Sequence, residues 1–310
     1  MPGLVVAAST GLFRAQRPPA RELGPDGWRR DLDMLKRLGF DHVDLSQLWL
    51  DLRDLSDAEL DILKRTIDDA GLTCVGVSLV QIPAFDPDLS DTVLERLRSA
   101  LEQTASLGAR FLSVGFHTPS SGGHWTAKMA TRSDIGATTQ IAVTAATLRR
   151  AADTGAALGV ELSLEMHEKS LLRNSSNVLR ILDEAGQTNL GANPDLGSLL
   201  RATGPIEETA VQIVENLAGR INYWHMKNAL RIEQGELGFS VPCSLGDGSI
   251  DYRTALYEAI GSGFAGPMVI EHYGGDALWH ARQGLAYLTE IIAERGGDDA
   301  LGRDRIASDR

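Results

Sequence analysis

The sequence contains little cysteine, no long apolar run and no excess of positive charge. Its two cysteines, Cys74 and Cys243, exclude a disulfide framework and favour a reducing compartment, the cytoplasm. No run approaches the roughly 18 consecutive apolar residues of a transmembrane helix, and the N-terminus lacks the features of a secretory signal. The formal net charge of −12 opposes binding to a phosphate backbone. We therefore expect a cytoplasmic protein that binds neither nucleic acid nor a membrane.

Short apolar segments alternate along the chain with stretches of helical spacing. Several of these segments are nearly continuous apolar runs, as in parallel strands that are buried on both faces. The predicted strands are residues 3–9, 42–46, 73–79, 111–117, 160–167, 190–195, 221–227 and 267–272. Apolar residues recur at helical spacing in Trp28, Leu32 and Leu35, and longer helical patterns cover about 135–157, 175–185, 206–217, 251–262 and 278–294. Ser56 and Glu59 form a capping box that predicts a helix start.

Eight alternations without a second core or a linker favour a single α/β domain, a (β/α)8 TIM barrel over residues 1–295. The alternative is an open doubly wound sheet. Its G-x-G-x-x-G fingerprint is absent, because Ser9-Thr10-Gly11-Leu12-Phe13 follows the first strand. Residues 296–310 include seven charged residues in 15, so we expect a disordered C-terminal tail.

Polar residues at the carboxyl ends of the strands are the candidates for chemistry, because barrel active sites form there. Glu165, Asp195, His225 and Glu271 lie at the ends of the fifth to eighth predicted strands. Three carboxylates that converge repel one another strongly unless a cation lies among them. An oxygen-rich set with one imidazole suits Mn²⁺ or Mg²⁺, and Co²⁺ or Zn²⁺ less selectively. The pattern predicts one divalent ion, with Mn²⁺ favoured.

The chain resembles the sugar-phosphate isomerase/epimerase superfamily, the xylose isomerase-like TIM barrels. Residues 244–252 (SLGDGSIDY) and 263–271 (GFAGPMVIE) are similar to the superfamily's signature before its last strand. Residues 159–165 (GVELSLE) are similar to its approach to the strand-five ligand. The resemblance covers residues 3–294 and implies that the four strand-end residues are the metal ligands.

The resemblance also implies catalytic roles. Ketose 3-epimerases of the superfamily use the strand-five and strand-eight glutamates as acid and base on opposite faces of an enediolate, and these correspond to Glu165 and Glu271. An arginine six residues after their metal histidine corresponds to Arg231, which is expected to bind substrate. Ser198 and Leu171 stand where those epimerases have a histidine and a second glutamate.

His167 lies two residues beyond Glu165, so strand alternation points both side chains inward. We predict that it binds substrate or acts as a general base, against the alternative of a structural histidine. Lyases that cleave C-glycosides in this superfamily look similar, with a histidine base beside the strand-five glutamate. Dehydratases of inososes and of dehydroshikimate abstract a proton next to a carbonyl in the same way.

Three further residues are candidates for substrate contact. His117 ends the fourth strand, where contact and packing are equally expected. Lys227 lies two residues beyond His225, where it either stabilises an oxyanion or neutralises the acidic rim. Trp125 belongs to the long segment 118–133, whose length suggests a lid or an oligomer contact.

The leading functional hypothesis is a metal-dependent isomerase or epimerase of a small sugar or cyclitol carbonyl compound. The alternative is a metal-dependent lyase or dehydratase, such as an inosose or dehydroshikimate dehydratase or the catalytic subunit of a C-glycoside deglycosidase. An abasic-site endonuclease is a remote alternative, because Gly238, Ser240 and Ser198 stand where that branch has further ligands. We expect a homo-oligomer, or a hetero-oligomer in the case of the deglycosidase.

Overall fold

The computed structural model describes residues 4–15, 18–116, 136–235 and 237–300. Eight parallel strands form a nearly closed barrel in the order β6-β5-β4-β3-β2-β1-β10-β7. These strands are β1 (Val6–Ser9), β2 (His42–Ser46), β3 (Thr73–Leu79), β4 (Phe111–Gly115), β5 (Glu161–Glu165), β6 (Leu190–Asn193), β7 (Trp224–Met226) and β10 (Met268–Ile270). The prediction of a (β/α)8 TIM barrel is confirmed.

The backbone hydrogen-bond ladder of the barrel is weakest between β6 and β7. We call this junction the seam. One isolated parallel bridge, Ala192 to Ile221, joins the two sides there. Above this bridge a side chain replaces the backbone ladder, because the Asn193 Oδ1 accepts a hydrogen bond of 2.7 Å from the backbone N–H of His225. The seam therefore lies directly beneath two of the predicted metal ligands, Asp195 and His225.

Helices cover the outside of the barrel. They are α1 (Ala20–Arg37), α2 (Asp57–Asp69), α3 (Ser90–Ser106), α4 (Ala137–Leu158), α5 (Ser175–Ala185), α6 (Leu196–Leu199), α7 (Ala210–Asn216), α8 (Tyr252–Gly261) and α9 (Ala277–Ala300). The predicted capping box of Ser56 and Glu59 is present at the start of α2. A second capping box, of Thr209 and Gln212, starts α7 later than the helical pattern from residue 206 predicted.

Two apolar regions build the core. The larger lies between the strands and the helices, where the predicted face of α1, Trp28, Leu32 and Leu35, is at most 1% exposed. A smaller cluster contains Phe111 and Tyr223, whose ring centroids lie 5.4 Å apart, together with Ala7 and Val269. Strand alternation directs this smaller cluster into the barrel, where it forms a floor below the polar strand ends.

A hairpin of two antiparallel strands, β8 (Asn228–Gln234) and β9 (Leu237–Cys243), follows β7 and was not predicted. The α9 helix continues to Ala300, so the backbone of residues 296–300 is helical where we expected a disordered tail; residues 301–310 lie outside the described residues. Among the described residues, no helix combines the length and the apolar character needed to cross a bilayer.

Candidate active site

Four side chains converge at the carboxyl ends of the barrel strands. Glu165 is the last residue of β5, Asp195 is the N-cap of α6, His225 is the middle residue of β7, and Glu271 follows β10. One ligand atom from each lies within 4.8 Å of the others. The side chains are buried or nearly so, with exposures of 5% for Glu165, none for Asp195, 1% for His225 and 11% for Glu271. The structure thus brings together all four residues that the strand ends predicted.

Local backbone features position the two carboxylates on β5 and after β6. A Cβ atom at Gly115 would lie 2.9 Å from Glu165 Oε2, so only glycine on the neighbouring strand leaves room for this carboxylate. Asp195 accepts hydrogen bonds from the backbone N–H of Ser198 at 3.1 Å and from its hydroxyl at 2.6 Å, which caps α6. Ser198 therefore orients the Asp195 carboxylate.

The His225 ring is fixed by contacts on both of its nitrogens. Its Nδ1 lies 3.1 Å from Glu165 Oε1 and 3.7 Å from Glu271 Oε2, so this nitrogen faces the carboxylates. Its Nε2 lies 3.1 Å from the Ser78 hydroxyl, which donates to Asp44 Oδ2 at 2.8 Å. Because the hydroxyl proton is committed to Asp44, the serine oxygen accepts from Nε2. Nδ1 is then the nitrogen that a metal ion would meet.

Asp44 anchors a buried polar network below the four residues. It is fully buried and accepts hydrogen bonds from the Tyr223 hydroxyl at 2.6 Å, from Ser78, and from Ser9 at 3.3 Å. The Ser9 hydroxyl also lies 3.1 Å from Glu271 Oε1, which links the network to a second residue of the cluster. Burial raises the pKa of Asp44 to about 6, although His225 and the hydrogen bonds oppose this rise.

Lys227 lies within the acidic cluster. Its Nζ is 2.6 Å from Asp195 Oδ2, 2.5 Å from Glu271 Oε2 and 3.7 Å from Glu165 Oε1. Burial raises the pKa of Glu271, but Lys227 and His225 outweigh it and lower that pKa to about 2. Burial lowers the pKa of His225, but Glu271 and Glu165 outweigh it and raise that pKa to about 9. The ammonium group thus balances part of the negative charge.

His167 is held by two charged neighbours. Its Nδ1 lies 2.8 Å from Glu168 Oε2, and its Nε2 accepts a hydrogen bond from the Arg201 guanidinium, which is also 3.1 Å from Glu168. Because guanidinium has no acceptor, Nε2 carries the lone pair and the ring proton lies on Nδ1. The guanidinium carbons of Arg201 and Arg14 each lie 5.1 Å from the centroid of the Tyr273 ring.

Sequence reasoning missed Arg14, Glu168, Arg201 and Tyr273. Arg14, Glu168 and Tyr273 follow a strand end by three to five residues, which was the available signal, whereas Arg201 lies eight residues after the end of β6. Arg231 directs its guanidinium to the backbone carbonyls of residues 200, 202 and 204 at 2.6–3.0 Å, so the hairpin places it against the α6–α7 connection. Its contact with substrate stays a prediction. The predicted contacts of His117 and Trp125 lie outside the described residues.

Comparisons with known proteins agree with this architecture. The family model described as xylose isomerase-like TIM barrel matches residues 32–291. A ketose 3-epimerase of Arthrobacter globiformis is 25% identical over 263 residues, which cover 82% of this chain and 80% of that protein.

Two solved structures share the fold over nearly the whole chain. A xylose isomerase-like TIM barrel protein from Mycobacterium smegmatis, in complex with magnesium, superposes with a TM-score of 0.83 at 23% identity and covers 94% of this chain and 97% of its own. An L-ribulose 3-epimerase superposes with a TM-score of 0.72 at 19% identity and covers 98% of this chain and 99% of its own.

Proposed function

Because the chain belongs to the family of xylose isomerase-like TIM barrels, we propose that it is a divalent-metal-dependent isomerase or epimerase of a small sugar or cyclitol carbonyl compound. The observation that carries this proposal is the convergence of Glu165, Asp195, His225 and Glu271 on one site at the mouth of the barrel. The names of two relatives, a ketose 3-epimerase and an L-ribulose 3-epimerase, support it.

The chemistry of the four residues fits a divalent ion. Three carboxylates and one imidazole are ligands that Mn²⁺, Mg²⁺, Co²⁺ and Zn²⁺ accept. One ligand atom from each of the four residues lies within 4.8 Å of the others, so the four residues would be close enough together to hold one ion. The magnesium in the similar protein from Mycobacterium smegmatis supports the same class of ion. Lys227 contacts oxygens of Asp195 and Glu271 and so neutralises part of their negative charge. A bound ion would compete with the lysine for these oxygens.

Two carboxylates of the site suit proton transfer at a carbon next to a carbonyl. A bound ion supplies the polarisation of that carbonyl, which acidifies the neighbouring C–H bond. Glu165 and Glu271 reach the site from β5 and from the end of β10, so their carboxylates approach it from different strands. We assign one glutamate to removing the proton and the other to returning it on the opposite face. Lys227, between them, is assigned to stabilising the oxyanion that forms.

The position of His167 favours this assignment over the lyase alternative. A histidine base must present a lone pair to the substrate proton. The lone pair on Nε2 accepts from Arg201, and the Nδ1 edge faces Glu168. Elimination with His167 as the base therefore requires Arg201 to leave, whereas the glutamate pair requires no such change.

The test is proton exchange measured in D₂O. The protein, loaded separately with Mn²⁺, Mg²⁺, Co²⁺ and Zn²⁺, is incubated with ketoses, inososes and 3-keto-glycosides, and deuterium uptake next to the carbonyl is followed by NMR and mass spectrometry. We expect uptake in the wild type and a loss of about 10²–10⁴-fold in Glu165→Gln, the usual contribution of a positioned base.

The matched control is Glu161→Gln, which changes the glutamate at the other end of β5, where it is paired with Arg110. It should exchange at the wild-type rate. Wild-type exchange in Glu165→Gln, or exchange that survives removal of the ion, would refute the proposal. If the substrate takes up no deuterium and a product forms with release of a leaving group, the enzyme is a lyase instead.

A further inference from the structure

The β8–β9 hairpin presents five large apolar side chains on one face, which we call the outer face. Leu230, Ile232, Leu237, Phe239 and Val241 are each 50–57% exposed. Leu230 pairs across the hairpin with Val241, and Ile232 pairs with Phe239, so the side chains form one continuous patch. Asn228, Gln234 and Cys243 complete this face by strand alternation, so the described residues of the face include no charged side chain.

The opposite face of the hairpin is anchored to the barrel. The Arg231 guanidinium bonds to the carbonyls of Leu200, Ala202 and Gly204, and the backbone N–H of Gly238 bonds to Thr203 O at 3.0 Å. A Cβ at Gly238 would lie 2.0 Å from Arg231 Nη2, so glycine leaves the space through which the guanidinium passes. The patch is therefore held in place before any partner arrives, which reduces the entropy lost on binding.

We propose that the outer face of the hairpin is the interface with a second copy of this chain. Five side chains, each about half exposed, present roughly 100 Å² apiece, so two copies packed face to face bury about 1,000 Å² of apolar surface. With a polar rim, this reaches the roughly 1,200 Å² at which specific interfaces begin. A single patch of about 500 Å² lies at the upper end of what a monomer exposes.

Charge favours a second copy over a partner of a different kind. The chain has a formal net charge of −12, and β8 and β9 direct no acidic side chain to the outer face. An uncharged face lets two acidic copies meet without placing like charges in contact, and a twofold axis makes the same patch complementary to itself. The ten C-terminal residues 301–310 are a poor cover for this patch, because five of them are charged.

The test is the mass of the full-length protein measured by sedimentation equilibrium between about 1 and 100 µM. The wild type, with a chain of 33.4 kDa, is expected at twice that mass. The double variant Ile232→Glu/Phe239→Glu is expected at the mass of one chain, with a dissociation constant raised at least 100-fold. Leu158→Glu, which places the same charge at a 37% exposed leucine at the end of α4, is the matched control and stays dimeric.

A monomeric wild type at 100 µM overturns the proposal and assigns the patch to another partner. An unchanged mass of the double variant also overturns it, whatever the size of the wild-type assembly. If the double variant does not fold, hydrogen exchange on the wild type decides. Amides of residues 228–243 must exchange more slowly at 100 µM than at 1 µM, and equal rates refute the interface. None of these outcomes depends on the proposed catalytic activity.

Discussion

Ser78→Ala should weaken metal binding although Ser78 is not a ligand. The Ser78 hydroxyl accepts a hydrogen bond from His225 Nε2 and donates one to Asp44. Its removal leaves a buried ring N–H without this acceptor and a buried carboxylate with one donor fewer, and it frees the ring to rotate away from Glu165. Because alanine keeps the Cβ atom and Ser78 is only 2% exposed, no cavity larger than one oxygen forms. The substitution should therefore weaken metal binding in a protein that still folds, with some loss of folding stability from the unpaired groups.

Two independent estimates of the free-energy cost of Ser78→Ala agree. Removing a partner of a ligand histidine typically costs 10- to 100-fold in metal affinity, or about 1.4–2.7 kcal/mol. A hydrogen bond that involves a charged group contributes about 1.5–3 kcal/mol. We therefore expect the Kd for Mn²⁺ to rise by about 10- to 100-fold, measured by isothermal titration calorimetry on metal-free protein.

Ser163→Ala is the matched control for Ser78→Ala. Ser163 is a fully buried serine on β5, and its hydroxyl has no hydrogen-bond partner among the described residues. Its replacement should change the Kd by less than about twofold. If Ser78→Ala binds Mn²⁺ as tightly as this control does, then Ser78 does not orient His225 and the reasoning is wrong.

Three further predictions concern the same site. Chelation of the ion should lower the melting temperature by several degrees in calorimetry, because a ligand at 100 times its Kd stabilises the native state by about 2.7 kcal/mol; an unchanged melting temperature contradicts a bound ion. His225→Ala should lose the ion whereas Lys227→Ala keeps it and loses turnover, since an ammonium group cannot coordinate; elemental analysis separates the two. Burial raises the pKa of Glu168, but His167 and Arg201 outweigh it and lower that pKa to about 2. Its ionised form therefore stabilises the fold above pH 4.5, and about 3 kcal/mol is lost as the pH falls towards 2; Glu168→Gln should flatten this part of the acid-unfolding curve, and a parallel curve contradicts the pairing.

The barrel and its four convergent residues were predictable because they depend on local patterns. Continuous apolar runs mark buried parallel strands, and the residue that ends each run must lie at the same rim. Contacts below that rim were not predictable in the same way. Ser78 meets His225 across 147 positions of the sequence, and nothing in the spacing of either strand reveals it.

Arg231 shows that spacing along the chain does not by itself fix where a side chain lies. It lies six residues after His225, as the resemblance requires, but the intervening backbone enters the hairpin and carries its guanidinium to residues 200–204. The alternation of Leu230 and Ile232 with polar residues was present in the sequence. Such alternation indicates that one face of a strand is covered, without indicating what covers it.

The seam between β6 and β7 would give a bound ion a mechanical role. Above the bridge from Ala192 to Ile221, β6 and β7 are joined through the Asn193 side chain. Asp195 follows β6 and His225 lies on β7, on opposite sides of the seam. Asp195 and His225 would hold an ion from both sides of this gap and so add a cross-link where the backbone ladder ends. Opening of the seam would then separate two of the residues that hold the ion. Removal of a bound ion should therefore speed hydrogen exchange of the His225 amide, which donates to the Asn193 side chain at the seam.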